Sequence, residues 1–336
     1  MPKFIHYYFT LFLGILTVPC FGGTEFKLSM PLRCNYGDDC FIQNYVDLKT
    51  TSQYQDYNCG ILTYNNHKGT DFRLVDYKGL VKGVEVLAVA DGTVKAVRND
   101  EADFIYIKNN YSGVTGKECG NGIILQHNDG YSTQYCHLSK NSIVVSEGQK
   151  LKSGDKIGYV GMSGETEFPH LHITIRQNDK IIDPFTGLEP NKIYTCSDKN
   201  TSNSLWDSNT LKNLKYIETA ILNFYLTENT PSQLEAQAGN FREDTIKQDA
   251  ENIIFWTEIV GVNKNDEITF ELINSSQQTV FSSTQKVPKR YAVYFSYVGK
   301  KISKNDDFSP GKYKEKISLK RNKKIILTKV KDITLD

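Results

Sequence analysis

Two histidines one residue apart, in the stretch EFPHLHITIR, are the feature of the sequence that most clearly suggests chemistry. The surrounding residues are typical of a β-strand, in which positions i and i+2 face the same side. His170 and His172 are therefore predicted to share one face, with Leu171 and Ile173 on the opposite, core face. Paired imidazoles can bind a metal ion or exchange protons near neutral pH. Taken alone, the pattern also fits two exposed strand histidines.

Two further segments carry residues of the same chemical types. HKGTDF contains His67 and Asp71, and YSTQYCHL contains His137. An extended strand would separate the first two by about 13 Å, so Gly69 is predicted to let the chain bend and bring them together. Taken singly, the first segment would be a surface loop with a His–Asp hydrogen bond, and His137 would be an ordinary strand-end histidine. We interpret His127 as solvated and structural. Jointly, two histidines and a carboxylate form a zinc set that leaves a position for water.

The order and spacing of these motifs, with the flanking text VLAVADGTV and GQKLKSGDKIGYVGMSGETEFPHLHITI, resemble the lysostaphin-like (LytM-type) zinc metallopeptidases over roughly residues 60–186. The resemblance implies that His67, Asp71 and His172 bind zinc (Zn2+) and that His137 and His170 are catalytic. It implies hydrolysis of peptide stems or cross-links of bacterial peptidoglycan. Two alternatives stay open: a catalytically inactive protein of this fold that binds murein or activates another hydrolase, and a secreted adhesion module with structural zinc.

Short apolar runs separated by turn residues predict a mainly β chain without a long amphipathic helix. Hairpins are expected around Asp91-Gly92, around 128–130 and around Asn178-Asp179. By its resemblance the first β region is an antiparallel LytM-type domain, a half-barrel with a groove, and the second has the strand spacing of an immunoglobulin-like β-sandwich. The predicted divisions are a signal peptide at 1–22, a cysteine-containing extension at 23–60, the metallopeptidase domain at 61–190, a polar linker at 191–213 and the accessory sandwich at 214–336.

The first residues, MPKFIHYYFTLFLGILTVPCFGG, are typical of a secretory signal peptide. As a helix the apolar run would span about 18 Å, less than the hydrocarbon core of a membrane. We therefore expect no transmembrane segment in the mature chain. The expected location is the periplasm, with an extracellular location as the alternative.

Six cysteines follow the leader, and an even number in an exported chain favours disulfides. A hairpin turn at 128–130 would place Ile123 near Tyr135. The stretch between Cys119 and Ile123 would then bring Cys119 close to Cys136, which predicts a Cys119–Cys136 disulfide. Proximity and elimination give the remaining pairs, Cys34–Cys40 and Cys59–Cys196.

Charge is unevenly distributed along the chain. The net charge is only +1, so no overall field favours nucleic acid as a partner. Residues 286–336, however, contain 15 Lys/Arg against 5 Asp/Glu. In KYKEKISL, alternation predicts a basic face with Lys314 and Lys316 and a buried face with Ile317 and Leu319. This predicts docking of the C-terminal domain to an anionic envelope surface, although ordinary solubilising charge explains the same pattern.

Overall fold

A computed structural model describes residues 25–49, 53–75, 77–104, 113–192, 201–233, 245–247, 250–302 and 308–336. The predicted signal peptide lies outside these residues. The fold is mainly β, as predicted, and no helix in the described part of the chain is long and apolar enough to cross a membrane. The elements in chain order are β1 Cys40–Asn44, β2 Thr70–Leu74, α1 Tyr77–Lys82, β3 Glu85–Leu87, β4 Gly92–Arg98, β5 Asn121–Gln126, β6 Tyr131–Leu138, β7 Lys150–Leu151, β8 Lys156–Tyr159, β9 His170–Gln177, β10 Lys180–Ile182, α2 Ser208–Asn213, β11 Ala220–Thr227, β12 Thr245–Ile246, β13 Asn252–Val262, β14 Glu267–Asn274, β15 Thr279–Lys286, β16 Tyr291–Lys301, β17 Gly311–Arg321 and β18 Lys324–Leu335.

The N-terminal half is built on one antiparallel sheet with the order β1-β2-β9-β6-β5-β4-β7, to which β10 adds by pairing with β9. Two predicted hairpins are present. β5 pairs with β6 and sets Ile123 opposite Tyr135. β9 pairs with β10 across Asn178 and Asp179, whose φ angles of 49° and 65° are those of a tight hairpin turn.

The hairpin predicted around Asp91-Gly92 is wrong. β3 pairs with β8 in a separate two-stranded sheet, whereas β4 pairs with β5 and β7. The Asp91 carboxylate accepts hydrogen bonds from the Ser153 backbone and the Lys152 side chain. Turn residues allow the chain to change direction, but they do not decide which strand it meets next.

The N-terminal extension pairs with the main sheet and packs into its core. β1 pairs along β2 at the edge of the sheet. Leu28, Leu32 and Ile42 are buried in the core that also contains Phe72 and Leu125.

The described end of the predicted polar linker, residues 201–213, is also packed against this core. Leu205 and Trp206 are buried there, and α2 follows, with the Asp207 carboxylate accepting a hydrogen bond from the Thr210 backbone as an N-cap. The polar composition of this stretch concealed its two buried apolar side chains.

The C-terminal half contains two sheets, β11-β13-β16 and β12-β18-β17-β14-β15. They share one core, in which Phe255 of the first sheet packs with Phe270 and Ile317 of the second. This is a β-sandwich, and its assignment to the immunoglobulin-like type stays a prediction.

The alternation predicted for β17 holds for Lys314, which is exposed, and for Ile317 and Leu319, which are buried. Glu315 breaks the pattern because it faces inward and pairs with Lys331, 3.2 Å away. The outward lysines are partly neutralised by carboxylates on neighbouring strands, among them Lys316 by Glu271 at 2.8 Å.

Two of the predicted disulfides are present, Cys34–Cys40 and Cys119–Cys136. Cys59 is also disulfide-bonded. Its predicted partner, Cys196, lies outside the described residues, so that pair stays a prediction.

Candidate metal centre

Sheet register brings the residues singled out in the sequence into one groove. β9 lies between β2 and β6, and His172 is opposite both Asp71 on β2 and Cys136 on β6. The strand histidines therefore face the same side as Asp71. His137 follows Cys136 and lines the same cavity of about 640 Å³.

Three donor atoms converge at the centre of the groove. Asp71 Oδ1 lies 2.8 Å from His172 Nδ1 and 3.2 Å from His67 Nε2, and the two ring nitrogens are 3.2 Å apart. Ligands held about 2.0–2.2 Å from a tetrahedral zinc ion are roughly 3.3 Å from one another. The spacing of the three atoms fits such an ion to within about half an ångström.

Hydrogen bonds on the far side of each ring orient the lone pairs toward the centre. His67 Nδ1 donates to the Tyr45 carbonyl, 2.7 Å away. His172 Nε2 lies 3.0 Å from the Thr174 hydroxyl, and a proton on Nε2 toward that oxygen leaves Nδ1 bare. Two bare ring nitrogens and the Asp71 carboxylate then face one another, and such a set of acceptors requires a positive charge between them.

The pKa shifts of Asp71 and His67 also indicate that a positive charge belongs between these groups. Burial would raise the pKa of Asp71, but the nearby His67 and His170 rings outweigh burial and hold it well below its usual range. Burial would lower the pKa of His67, but the charge and hydrogen bond of Asp71 outweigh it and raise it. Asn44 of β1 donates to the other carboxylate oxygen at 2.9 Å. A proton on His67 can supply the positive charge, and a metal ion would compete with that proton.

The two remaining groove histidines are held as neutral rings. His137 Nδ1 donates to the Ser163 carbonyl at 2.8 Å, and His170 Nδ1 donates to the Phe168 carbonyl at 2.9 Å. Burial lowers the pKa of His170 to about 4 and that of His137 well below its usual value. Each ring therefore keeps a bare Nε2 atom beside the acceptor set.

The conformation of His137 could not be read from the sequence. Its φ angle is 64°, which is uncommon for a residue other than glycine. Its backbone N–H donates to the Cys119 carbonyl at 2.8 Å, and Cys119 is bonded to Cys136, the preceding residue. The disulfide thus braces the segment that carries His137.

Sequence reasoning missed the residues that orient the three converging side chains. Tyr45 and Asn44 lie in the N-terminal extension and match no motif. Thr174 could have been found, because it continues the i, i+2 face of His170 and His172 on β9.

The interpretation of His127 as solvated is wrong. This side chain is buried, with Nδ1 2.7 Å from the Asp91 carbonyl and Nε2 2.8 Å from the Thr133 hydroxyl. It has a structural role away from the groove.

Part of the chain is similar to known proteins, and the similar part contains the five histidine and aspartate residues of the groove. Residues 65–184 match the model for Peptidase family M23. Over 106 residues the chain is 36% identical to the peptidoglycan DD-endopeptidase ShyA of Vibrio cholerae, covering 32% of this chain and 19% of ShyA. Over 107 residues it is 35% identical to the murein hydrolase activator NlpD of Escherichia coli, covering 32% of this chain and 24% of NlpD.

The chain spans between about a fifth and a third of the length of the first curated relatives. Among solved structures, the catalytic domain of lysostaphin from Staphylococcus simulans aligns at 28% identity with a TM-score of 0.26, covering 36% of this chain and 77% of that domain. By the family match, residues 65–184 of this chain form a Peptidase family M23 domain.

Proposed function

We propose that the protein is a zinc-dependent endopeptidase that hydrolyses peptide cross-links of bacterial peptidoglycan. The observation that carries the proposal is the convergence of His67, Asp71 and His172 in a groove that also holds two neutral histidines. The three converging residues are the zinc ligands in this proposal. His137 and His170 are the catalytic histidines.

When bound, zinc would lower the pKa of a water molecule and polarise the substrate carbonyl. The chain supplies the proton transfers. The bare Nε2 of His170 lies 3.7 Å from Asp71 Oδ1, at the edge of the ligand set, and can take a proton from the attacking water. The proton that His170 takes from the water can pass to the leaving amine, directly or through the bare Nε2 of His137, whose ring centroid is 4.6 Å from that of His170. Once His137 Nε2 carries that proton, it can also hydrogen-bond the oxyanion.

The proposal also includes the cellular location of the protein and the bond that it cleaves. A signal peptide and disulfides fit the periplasm, with the extracellular space as the alternative. The substrate bond we favour is the direct D-alanyl–diaminopimelyl cross-link, and the name of the relative ShyA supports it. The domain boundaries that we propose are those predicted from the sequence. The N-terminal extension and the described end of the linker pack against the catalytic domain.

The test combines metal analysis with product analysis. The mature protein is expected to contain about one zinc per chain by inductively coupled plasma mass spectrometry. It is expected to release cross-link-cleaved muropeptides from purified murein, detected by mass spectrometry. Metal-replete protein that leaves the cross-links intact would overturn the proposed activity.

The alternative is a non-catalytic protein that activates another hydrolase, and the 35% identity to NlpD supports it. Retention of all five site residues favours the enzyme. An activator would leave murein intact alone and would increase the rate at which an added amidase digests it.

Docking of the C-terminal domain to an anionic surface is a separate proposal. Cross-strand pairs such as Lys316–Glu271 reduce the charge available for it. Co-sedimentation of the full chain with anionic and with zwitterionic vesicles tests it, because attraction through exposed lysines should fade as salt shortens the Debye length from about 8 Å. Equal binding to both vesicles would exclude it.

A further inference from the structure

The catalytic groove adjoins a second cavity, which lies between the two halves of the molecule. This interdomain cleft has a volume of about 790 Å³. Four residues line both cavities, namely Asn44, Tyr64, Glu167 and Phe168. The groove and the cleft therefore adjoin each other along these four residues.

The far wall of the cleft belongs to the C-terminal sandwich. It includes Val260 of β13, Val293 of β16 and Arg290, which precedes β16. Val260 also packs with Leu222 and with Phe41 of β1 in a small buried cluster. This apolar contact holds the sandwich against the edge of the catalytic sheet, so the cleft is preformed.

A buried ion pair fixes the same junction and reaches a catalytic histidine. Arg73 of β2 lies 3.7 Å from Glu258 of β13, and both side chains are less than 5% exposed, at 4% and 2%. Its guanidinium also donates to Gln43 at 2.7 Å and lies 4.5 Å from the centre of the Phe168 ring. The Phe168 carbonyl accepts the hydrogen bond from His170. The sandwich thus supports the floor of the groove as well as a wall of the cleft.

The lining of the cleft has an apolar part and charged side chains of both signs, namely Arg290, Glu167 and Glu218. Tyr54, Ile61 and Tyr64 are 41%, 41% and 52% exposed, and these large side chains form one wall. Arg290 is exposed and forms no ion pair with any residue of the described chain segments. Glu218, also in the lining, is bound by Arg321 at 3.2 Å. Within the described part of the chain, no carboxylate occupies the Arg290 guanidinium, which an anionic ligand could therefore approach.

Resting on the proposed function, we propose that the interdomain cleft binds the part of the substrate peptide that extends beyond the scissile bond. The peptide lies extended from the groove, its aliphatic portions pack on Tyr54, Ile61 and Tyr64, and one of its free carboxylates pairs with Arg290. An extended chain advances about 3.3 Å per residue, so a few residues beyond the scissile bond reach into the cleft. Guanidinium–carboxylate pairing then selects a stem peptide with an unblocked carboxyl group.

The test uses the full chain and two fluorescently labelled synthetic peptides. One is a D-alanyl–diaminopimelyl cross-linked peptide dimer with free carboxylates, and the other is the same dimer with those carboxyls amidated. Binding is measured by anisotropy in a His170→Ala background, so that the peptides stay intact. Adding Arg290→Ala is expected to raise the Kd of the free-carboxylate peptide about tenfold and to leave the Kd of the amidated peptide unchanged.

The matched control is Lys289→Ala, which removes the same charge one residue away. Lys289 lies over the Tyr291 ring at 5.2 Å and does not line the cleft. Equal Kd values for the free-carboxylate peptide in the Arg290→Ala and Lys289→Ala proteins would overturn the proposal. A change in oligomeric state with Arg290→Ala, measured by light scattering, would instead assign the cleft to a second copy of the chain and also overturn it.

Hydrolysis separates this proposal from the proposed function. Suppose that binding depends on Arg290 but that the protein without the His170 substitution cleaves neither peptide. The proposed enzyme activity is then refuted, and the proposed binding of the peptide in the cleft is supported. If that protein cleaves the free-carboxylate peptide and Arg290→Ala leaves kcat/KM unchanged, the cleft proposal is refuted and the proposed enzyme activity is supported.

Discussion

Gly69 lies between His67 and Asp71, and its missing side chain leaves the space that His172 occupies. A Cβ atom at this position would lie 2.5 Å from His172 Nε2 and 2.7 Å from the Ile173 carbonyl oxygen. The carbonyl belongs to the β2–β9 ladder, where Thr70 is opposite Ile173, so it cannot retreat. Gly69→Ala must therefore push the His172 ring away from Thr174 and from the ligand set.

The expected cost has two parts. Overpacking a closely packed site typically destabilises by about 1–3 kcal/mol. Loss of the contact that orients a ligand typically weakens metal binding by about 10- to 100-fold. Urea unfolding in the presence of a chelator measures the first effect, and competition for zinc with a chromophoric chelator measures the second.

Gly116→Ala is the matched control for this prediction. Gly116 has a φ angle of 78°, so alanine is strained there by about 1–2 kcal/mol. Its added Cβ would meet no atom within 4 Å. The control should lose stability and keep its zinc affinity. If Gly69→Ala binds zinc as tightly as the unsubstituted protein, the assignment of His172 as a ligand packed on Gly69 is refuted.

Three other perturbations test separate parts of the structure. His172→Ala is expected to abolish both zinc binding and hydrolysis, whereas His170→Ala should keep the metal and lose hydrolysis, and equal metal loss in both would contradict the assigned roles. Burial raises the pKa of Asp183 to about 6, above its unfolded value of about 3.9, so the folded state binds more protons and this group's contribution to stability falls as pH rises from 4 to 7. Urea unfolding should therefore show Asp183→Asn losing about 2–3 kcal/mol less than the unsubstituted protein over that range, and parallel pH profiles would exclude the shift. Replacing Cys119 and Cys136 by serine should lower the free energy of unfolding by about 3 kcal/mol, and unchanged unfolding midpoints would show that the bond contributes nothing.

The sequence was informative wherever a local pattern carries the chemistry. Alternation along one strand was enough to put His170 and His172 on the same face, and turn residues located two hairpins. The β5–β6 register followed from its turn and led to the Cys119–Cys136 pair, which the structure contains. Each of these inferences depends on residues close together in the chain, because strand period and turn geometry are properties of short segments.

Only the tertiary structure decided which distant segments meet. The Asp91-Gly92 turn sends β4 to β5 and β7 instead of back to β3, and no local signal distinguishes the two outcomes. Tyr45 and Asn44 orient the proposed ligands from an extension that matches no motif, and Arg73 meets Glu258 across nearly two hundred residues of chain. Residue types and short spacings determined what chemistry the chain could perform. The packing of whole sheets determined which side chains hold the reactive groups in place, since that packing depends on the summed burial of many residues far apart in sequence.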